Sequence, residues 1–154
     1  ITPNFVVSTY VGSSFEEPGG KSYRQTTTGS LPSSIEKIDA DFDVISSNVD
    51  NFEISHSGSF DQWRVTLEDT STNAYWNVFN NSATSTMILP SIPNSVKEEY
   101  TILTNPSFNY SRVSLYDWTC AESYKEWIEL YHSSDGYYLD FCSGFRELTY
   151  WSPE

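Results

Sequence analysis

Four carboxylates lie among aromatic residues near the end of the chain: Glu126, Glu129, Asp140 and Glu147. Paired carboxylates flanked by rings are what glycoside hydrolysis uses. One acts as acid, and the other as base or nucleophile, across a cleft of set width. Sequence supplies the groups but not the separation, and an acidic chain brings such neighbours together by chance. His56 in Ser55-His56-Ser57-Gly58 and His132 before Ser133-Ser134-Asp135 offer the parts of a Ser/His/Asp triad. A triad is defined by geometry, and no G-x-S-x-G elbow supports one. The expectation is therefore no enzyme, with a small carboxylate-based secreted hydrolase as an alternative.

Asp39, Asp41, Asp43 and Asp50 fall at positions 1, 3, 5 and 12 of a calcium-loop count. Such a loop needs Gly at its sixth position, and here that residue is Val44. Asp39, Asp41 and Asp43 are thus weak candidates for a Ca2+ site of another kind. The simpler reading is a solvated strand face, where like charges discourage edge pairing. No cofactor is expected.

The two cysteines, Cys120 and Cys142, have no partner at metal-ligand spacing. They are expected to form a disulfide in an oxidising compartment. They bracket Trp127, Tyr131, Tyr137 and Tyr138 in the most aromatic region of the chain, so the bond would anchor the base of an aromatic hairpin. Residues 105–154 hold 13 of the 25 aromatic residues. Some of these rings must be core. Exposed Trp and Tyr, by contrast, present flat faces with a polar tip, suited to sugar rings or protein contacts. The candidate ligand-binding residues are Trp118, Trp127, Tyr137, Tyr138 and Trp151.

Positioning these residues falls to short strands. In Ile38-Asp39-Ala40-Asp41-Phe42-Asp43-Val44, period two puts the apolar residues on one face and the aspartates on the other. Trp63 to Leu67 and Tyr75 to Phe79 read as a hairpin around a turn at Asp69 to Asn73. Further strands are expected near Phe5 to Val11, Phe52 to Ile54, Thr86 to Leu89, Tyr100 to Leu103, Arg112 to Trp118, Glu126 to His132, Tyr137 to Cys142 and Leu148 to Trp151, the last closing the sheet. Pro18-Gly19-Gly20 and Thr26-Thr27-Thr28-Gly29 mark a turn-rich stretch, and Pro90 and Pro93 an irregular crossing. Tyr124, Trp127, Ile128 and Tyr131 also fit an amphipathic helix, so residues 121–131 admit one short helix. The fold class is all-β: an antiparallel two-sheet β-sandwich, Ig-like or jelly-roll-like, in a single domain over residues 1–154.

Trp63-x-Val65-x-Leu67, Tyr75-Trp76, Leu89-Pro90-Ser91-Ile92-Pro93 and Tyr100-x-Ile102 resemble fibronectin-III-like and immunoglobulin-like domains of surface proteins. The resemblance covers residues 63–103 and implies a sandwich architecture; fold similarity does not fix function.

The net charge is −13, from 21 acidic and 8 basic residues, and the basic residues are scattered. Nucleic acid, which needs clustered Lys and Arg, is excluded as an expected partner. No apolar run approaches the length of a membrane span, so no direct membrane insertion is expected. The chain opens on Ile1, which reads as a mature product secreted, periplasmic or at the cell surface. Asn80 and Asn109 match the N-glycosylation sequon. The expected function is a non-catalytic extracellular binding or adhesion module for carbohydrate or another surface protein. The alternative is a structural or assembly subunit that associates with itself.

Overall fold

The computed structural model describes residues 6–11, 20–28, 33–34, 36–48, 50–88, 91–100, 107–133, 142 and 144–153. Nine strands and two helices occur among them: β1 (Val6–Val11), β2 (Lys21–Thr28), β3 (Ala40–Asn48), β4 (Asn51–Gly58), β5 (Gln62–Asp69), β6 (Ala74–Asn81), β7 (Thr86–Met87), α1 (Asn94–Glu99), β8 (Asn109–Trp118), α2 (Tyr124–Ser133) and β9 (Gly144–Trp151). They form two antiparallel sheets, as a sandwich requires. The large sheet runs β1-β2-β9-β8-β5-β6, and the small sheet β3-β4-β7.

Alternation decides the packing. Trp63, Val65 and Leu67 of β5, Val113 and Leu115 of β8 and Leu148 of β9 face Phe42, Phe52, Ile54 and Met87 of the small sheet. All ten are buried, and transfer from water favours each large side chain by about 2 kcal/mol. The alternation from Ile38 to Val44 matches this arrangement. Ile38 and Phe42 are buried, while Asp39, Asp41 and Asp43 are exposed. The β5–β6 hairpin also forms in the expected place. Asp69 shapes its turn by accepting hydrogen bonds from Ser71 N at 2.9 Å and Ser71 Oγ at 2.6 Å. Asn73 then takes a positive φ of 53°, which Asn tolerates better than most residues.

Four expectations need correction. The stretch Glu126 to His132 is the body of helix α2, not a strand; burial of Trp127, with Tyr124, Ile128 and Tyr131 beside it, favours the helical face of a stripe that fits either period. The stretch Thr26-Thr27-Thr28 belongs to strand β2 and not to a turn. The segment after Pro93 forms the short helix α1, for which Pro93 supplies the N-cap φ of −57°. Finally, β9 does not close the sheet; it lies inside it, between β2 and β8. The strands expected at Tyr100 to Leu103 and Tyr137 to Cys142 lie almost wholly outside the described residues.

Two glycines permit close approaches. Gly58 ends β4 at φ 82°, and a Cβ there would sit 2.0 Å from Asp39 O. Gly144 begins β9, and its Cβ would sit 2.3 Å from Thr26 O of β2. Any larger residue at 144 would push β2 off β9 near the disulfide.

Candidate functional site

The outer face of the large sheet, opposite the small sheet, has an apolar end and a polar end. At the apolar end, Trp118 of β8 pairs in register with Phe145 of β9. Helix α2 lies over this end because Tyr124, Trp127, Ile128 and Tyr131 form one stripe on it. Trp127 packs with ring centroids 5.4 Å from Trp118, 5.6 Å from Phe79 and 5.0 Å from Tyr131. The expected disulfide joins Cys120 to Cys142, with Cα atoms 5.0 Å apart. It closes the excursion containing α2 at the end of the β8–β9 ladder, rather than the base of an aromatic hairpin.

This geometry bears directly on the candidate ligand-binding rings. Trp118 is 6% exposed and Trp127 3%, so their faces are taken up by packing. That differs from the exposed rings anticipated for these two positions. The cause is the helix, which uses Trp127 as its anchor. Tyr137 and Tyr138 lie outside the described residues. Trp151 is half-buried at the other end of the face, with the Arg112 guanidinium 5.3 Å from its ring centroid.

At the polar end, strand register assembles what the sequence scatters. Arg24, Glu147, Tyr116 and Gln62 form one row across β2, β9, β8 and β5. Ser22, Thr149, Ser114 and Arg64 form the next. Trp151, Arg112 and Thr66 form the third. Glu147 is 5% exposed. Its carboxylate pairs with Arg24 at 2.5 Å and Arg64 at 3.6 Å, and accepts a hydrogen bond from Thr149 Oγ1 at 2.9 Å. Arg112 donates from Nε to Thr66 Oγ1 at 3.2 Å. Burial first, then the nearby Arg64 charge, pushes the Arg112 pKa down. Burial, reinforced by the Glu147 charge, pushes the Tyr116 phenol up, so it stays neutral.

A second surface lies at the mouth between the two sheets. A groove of about 250 Å³ is lined by Phe42, Tyr110, Tyr150, Lys21, Asp43 and Ser47, with Val44 and Ile45. A bulge between Val44 and Ser46 leaves Ile45 without a Cα partner on β4, and its side chain is 60% exposed at the rim. Lys21 donates to Asp41 Oδ1 at 2.8 Å and to Phe42 O at 2.5 Å, and lies 3.4 Å from Asp43. Burial works to lower the Lys21 pKa, but the Asp41 hydrogen bond and charge outweigh it and raise the pKa. Asp41 is held below the usual carboxylate range by the same hydrogen bond. The weak calcium candidates therefore include two residues that contact an ammonium group. Among the described residues, no group of three or more His, Cys, Asp or Glu is arranged to hold a metal.

The hydrolase carboxylates are dispersed. Glu147 is buried in the sheet, while Glu126 and Glu129 are exposed on α2, where Glu129 lies 3.8 Å from Lys125. Asp140 lies outside the described residues. His56 packs on Phe60 at 5.0 Å, and His132 is exposed near the end of α2. Among the described residues, no helix is long and apolar enough to cross a membrane. The disulfide is consistent with an extracellular setting.

Sequence missed the groove and the arginine-lined face because both depend on register between distant strands. One signal was present: Arg64 and Arg112 each sit beside core residues, in Trp63-Arg64-Val65 and Arg112-Val113. That places them on the opposite face of a buried strand. Comparison with known protein families, with curated proteins and with solved structures finds no match.

Proposed function

We propose that the chain is a non-catalytic extracellular binding or adhesion module whose ligand is a carbohydrate or another surface protein. The observation that carries this reading is the groove between the sheets. It combines the rings of Tyr110 and Tyr150 with Lys21, Asp43 and Ser47. Aromatic faces beside a few polar groups suit a sugar ring, which has an apolar face and hydroxyl edges. The test is a glycan array and a surface-protein pull-down with wild type, Tyr110→Ala and Tyr150→Ala. Each substitution is expected to weaken binding about tenfold while leaving the far-UV spectrum unchanged. No ligand in either screen, or binding indifferent to both substitutions, sinks the groove reading.

A second reading, a structural subunit that assembles with itself, draws on β6. This eight-residue strand ends the order of the large sheet. An edge of that length offers backbone groups to another chain. Light scattering across a concentration series tests it: growth of ordered assemblies favours it, and a constant monomer mass removes it.

A further inference from the structure

Three of the four arginines in a chain of net charge −13 converge on the outer face of the large sheet. Arg24 comes from β2, Arg64 from β5 and Arg112 from β8. Among the described residues, Glu147 is the carboxylate that Arg24 and Arg64 share, and it is unevenly shared. It contacts Arg24 at 2.5 Å and Arg64 only at 3.6 Å. Arg112 forms no ion pair among the described residues and rests on Thr66 Oγ1 and the Trp151 ring. Polar groups nearby are also unspent. Among the described residues, Arg64 Nε is buried without a hydrogen-bond partner, and so are both amide atoms of Gln62, which is 0% exposed. Gln62 lies two residues before Arg64, on the same face of β5.

Among the described residues, these partly buried guanidinium groups outnumber the carboxylates that pair with them, and a buried charge without a partner is costly. Guanidinium forks match the geometry of oxyanions. We propose that this face is an oxyanion site, with Arg112 and Arg64 as the binding residues and Gln62 as a neutral donor beside them. The ligand group is a sulfate, phosphate or carboxylate, either as a free ion or carried on an acidic oligosaccharide. Arg24–Glu147 acts as the fixed ion pair that sets the Arg64 side chain against Tyr116, 5.1 Å from its ring centroid. The site does not rest on the groove, which lies on the opposite face of the sheet.

The test is calorimetric titration of the intact chain with sodium sulfate, sodium phosphate, a sulfated oligosaccharide and an oligogalacturonate, against chloride at matched ionic strength. Sulfate stabilises most proteins by exclusion from their surfaces, so the readout is saturable binding and not a melting temperature. Wild type is expected to bind at least one oxyanion saturably. Arg112→Gln is expected to weaken that binding about tenfold or more. Arg146→Gln removes the arginine outside the site and is expected to leave binding within about twofold. If Arg112→Gln does not fold, Arg64→Lys keeps the charge, loses the fork, and is expected to show the weakening instead. A sulfated oligosaccharide binding far more tightly than inorganic sulfate assigns a polymer-borne group; equal affinities assign the free ion. Absence of saturable binding by all four probes overturns the proposal. So does an equal loss in Arg112→Gln and Arg146→Gln.

Discussion

The two ends of the outer sheet face are made by the same strands and behave differently. At one end, Trp118 and Phe145 are sealed under α2 by Trp127. At the other, Arg24 and Arg64 pair with Glu147, Arg112 lies on the same face, and all three arginines remain partly open to solvent. The apolar end gains from every contact it buries. Among the described residues, the polar end carries more positive charge than its carboxylate balances. One end therefore holds the fold together, and the other, where we propose that an oxyanion binds, does so at some expense of stability. The difference is also one of source: a local helix stripe builds the first, and register among four strands builds the second.

The largest expected effect comes from breaking the sealed end. Trp127→Ala should cost about 4 kcal/mol in urea unfolding, because a buried indole leaves a cavity between Trp118, Phe79 and Tyr131. A cost below about 1 kcal/mol would mean that α2 can detach without penalty. Next is the double substitution Cys120→Ser with Cys142→Ser, which should cost about 3 kcal/mol through the reopened loop. Amide exchange should speed up in residues 124–133 before it does in β5 and β8. Uniform acceleration would mean that the two ends unfold as one unit.

At the open end, Glu147→Gln should cost about 2 kcal/mol, since it leaves Arg24 and Arg64 without their carboxylate but still partly hydrated. A more stable variant would show that solvent already screens the arginines from one another. The smallest effect is at Asp69, in the turn beyond the polar end. Its carboxyl is held below the usual range by the Ser71 hydroxyl first, and also by the Ser107 and Ser71 amides; burial opposes them. A depressed native pKa adds stability that is complete above the unfolded value and is lost as pH falls through the native one. Urea midpoints taken from neutral pH downward should show an acid-side loss that is smaller in Asp69→Asn. An identical pH profile in the variant would remove this turn as its source.

Legibility in the sequence followed the range of the signal. The face of β3 could be read from Ile38 to Val44 because alternation is local and each aspartate contrasts with an apolar neighbour. The β5–β6 hairpin was readable for the same reason. The α2 stripe of Tyr124, Trp127, Ile128 and Tyr131 fitted two periods, and only tertiary burial of Trp127 decides between them. Strand β2 was silent, since its outward-facing residues Ser22, Arg24 and Thr26 are all polar and leave no apolar alternation to see. The arginine cluster was hidden in another way. Each arginine stands alone in its strand, and no single window of sequence contains two of them. The pairing of Cys120 with Cys142 was accessible from composition alone, whereas the helix that it encloses was not the favoured reading of those residues.

The position of β9 carries a consequence for how the chain comes off the ribosome. Residues 21–28 are made early, yet their neighbour on the inner side, residues 144–151, is made late. Until then the β1–β2 ribbon has no sheet to join, and β8 presents a bare flank. Pairings this distant are slow to form, and open strand flanks invite contacts with other nascent chains. Among the described strands, β9 is thus the keystone of the large sheet. A translational pause or truncation before residue 144 leaves two separate half-sheets, with Arg24 on one and Arg64 and Arg112 on the other.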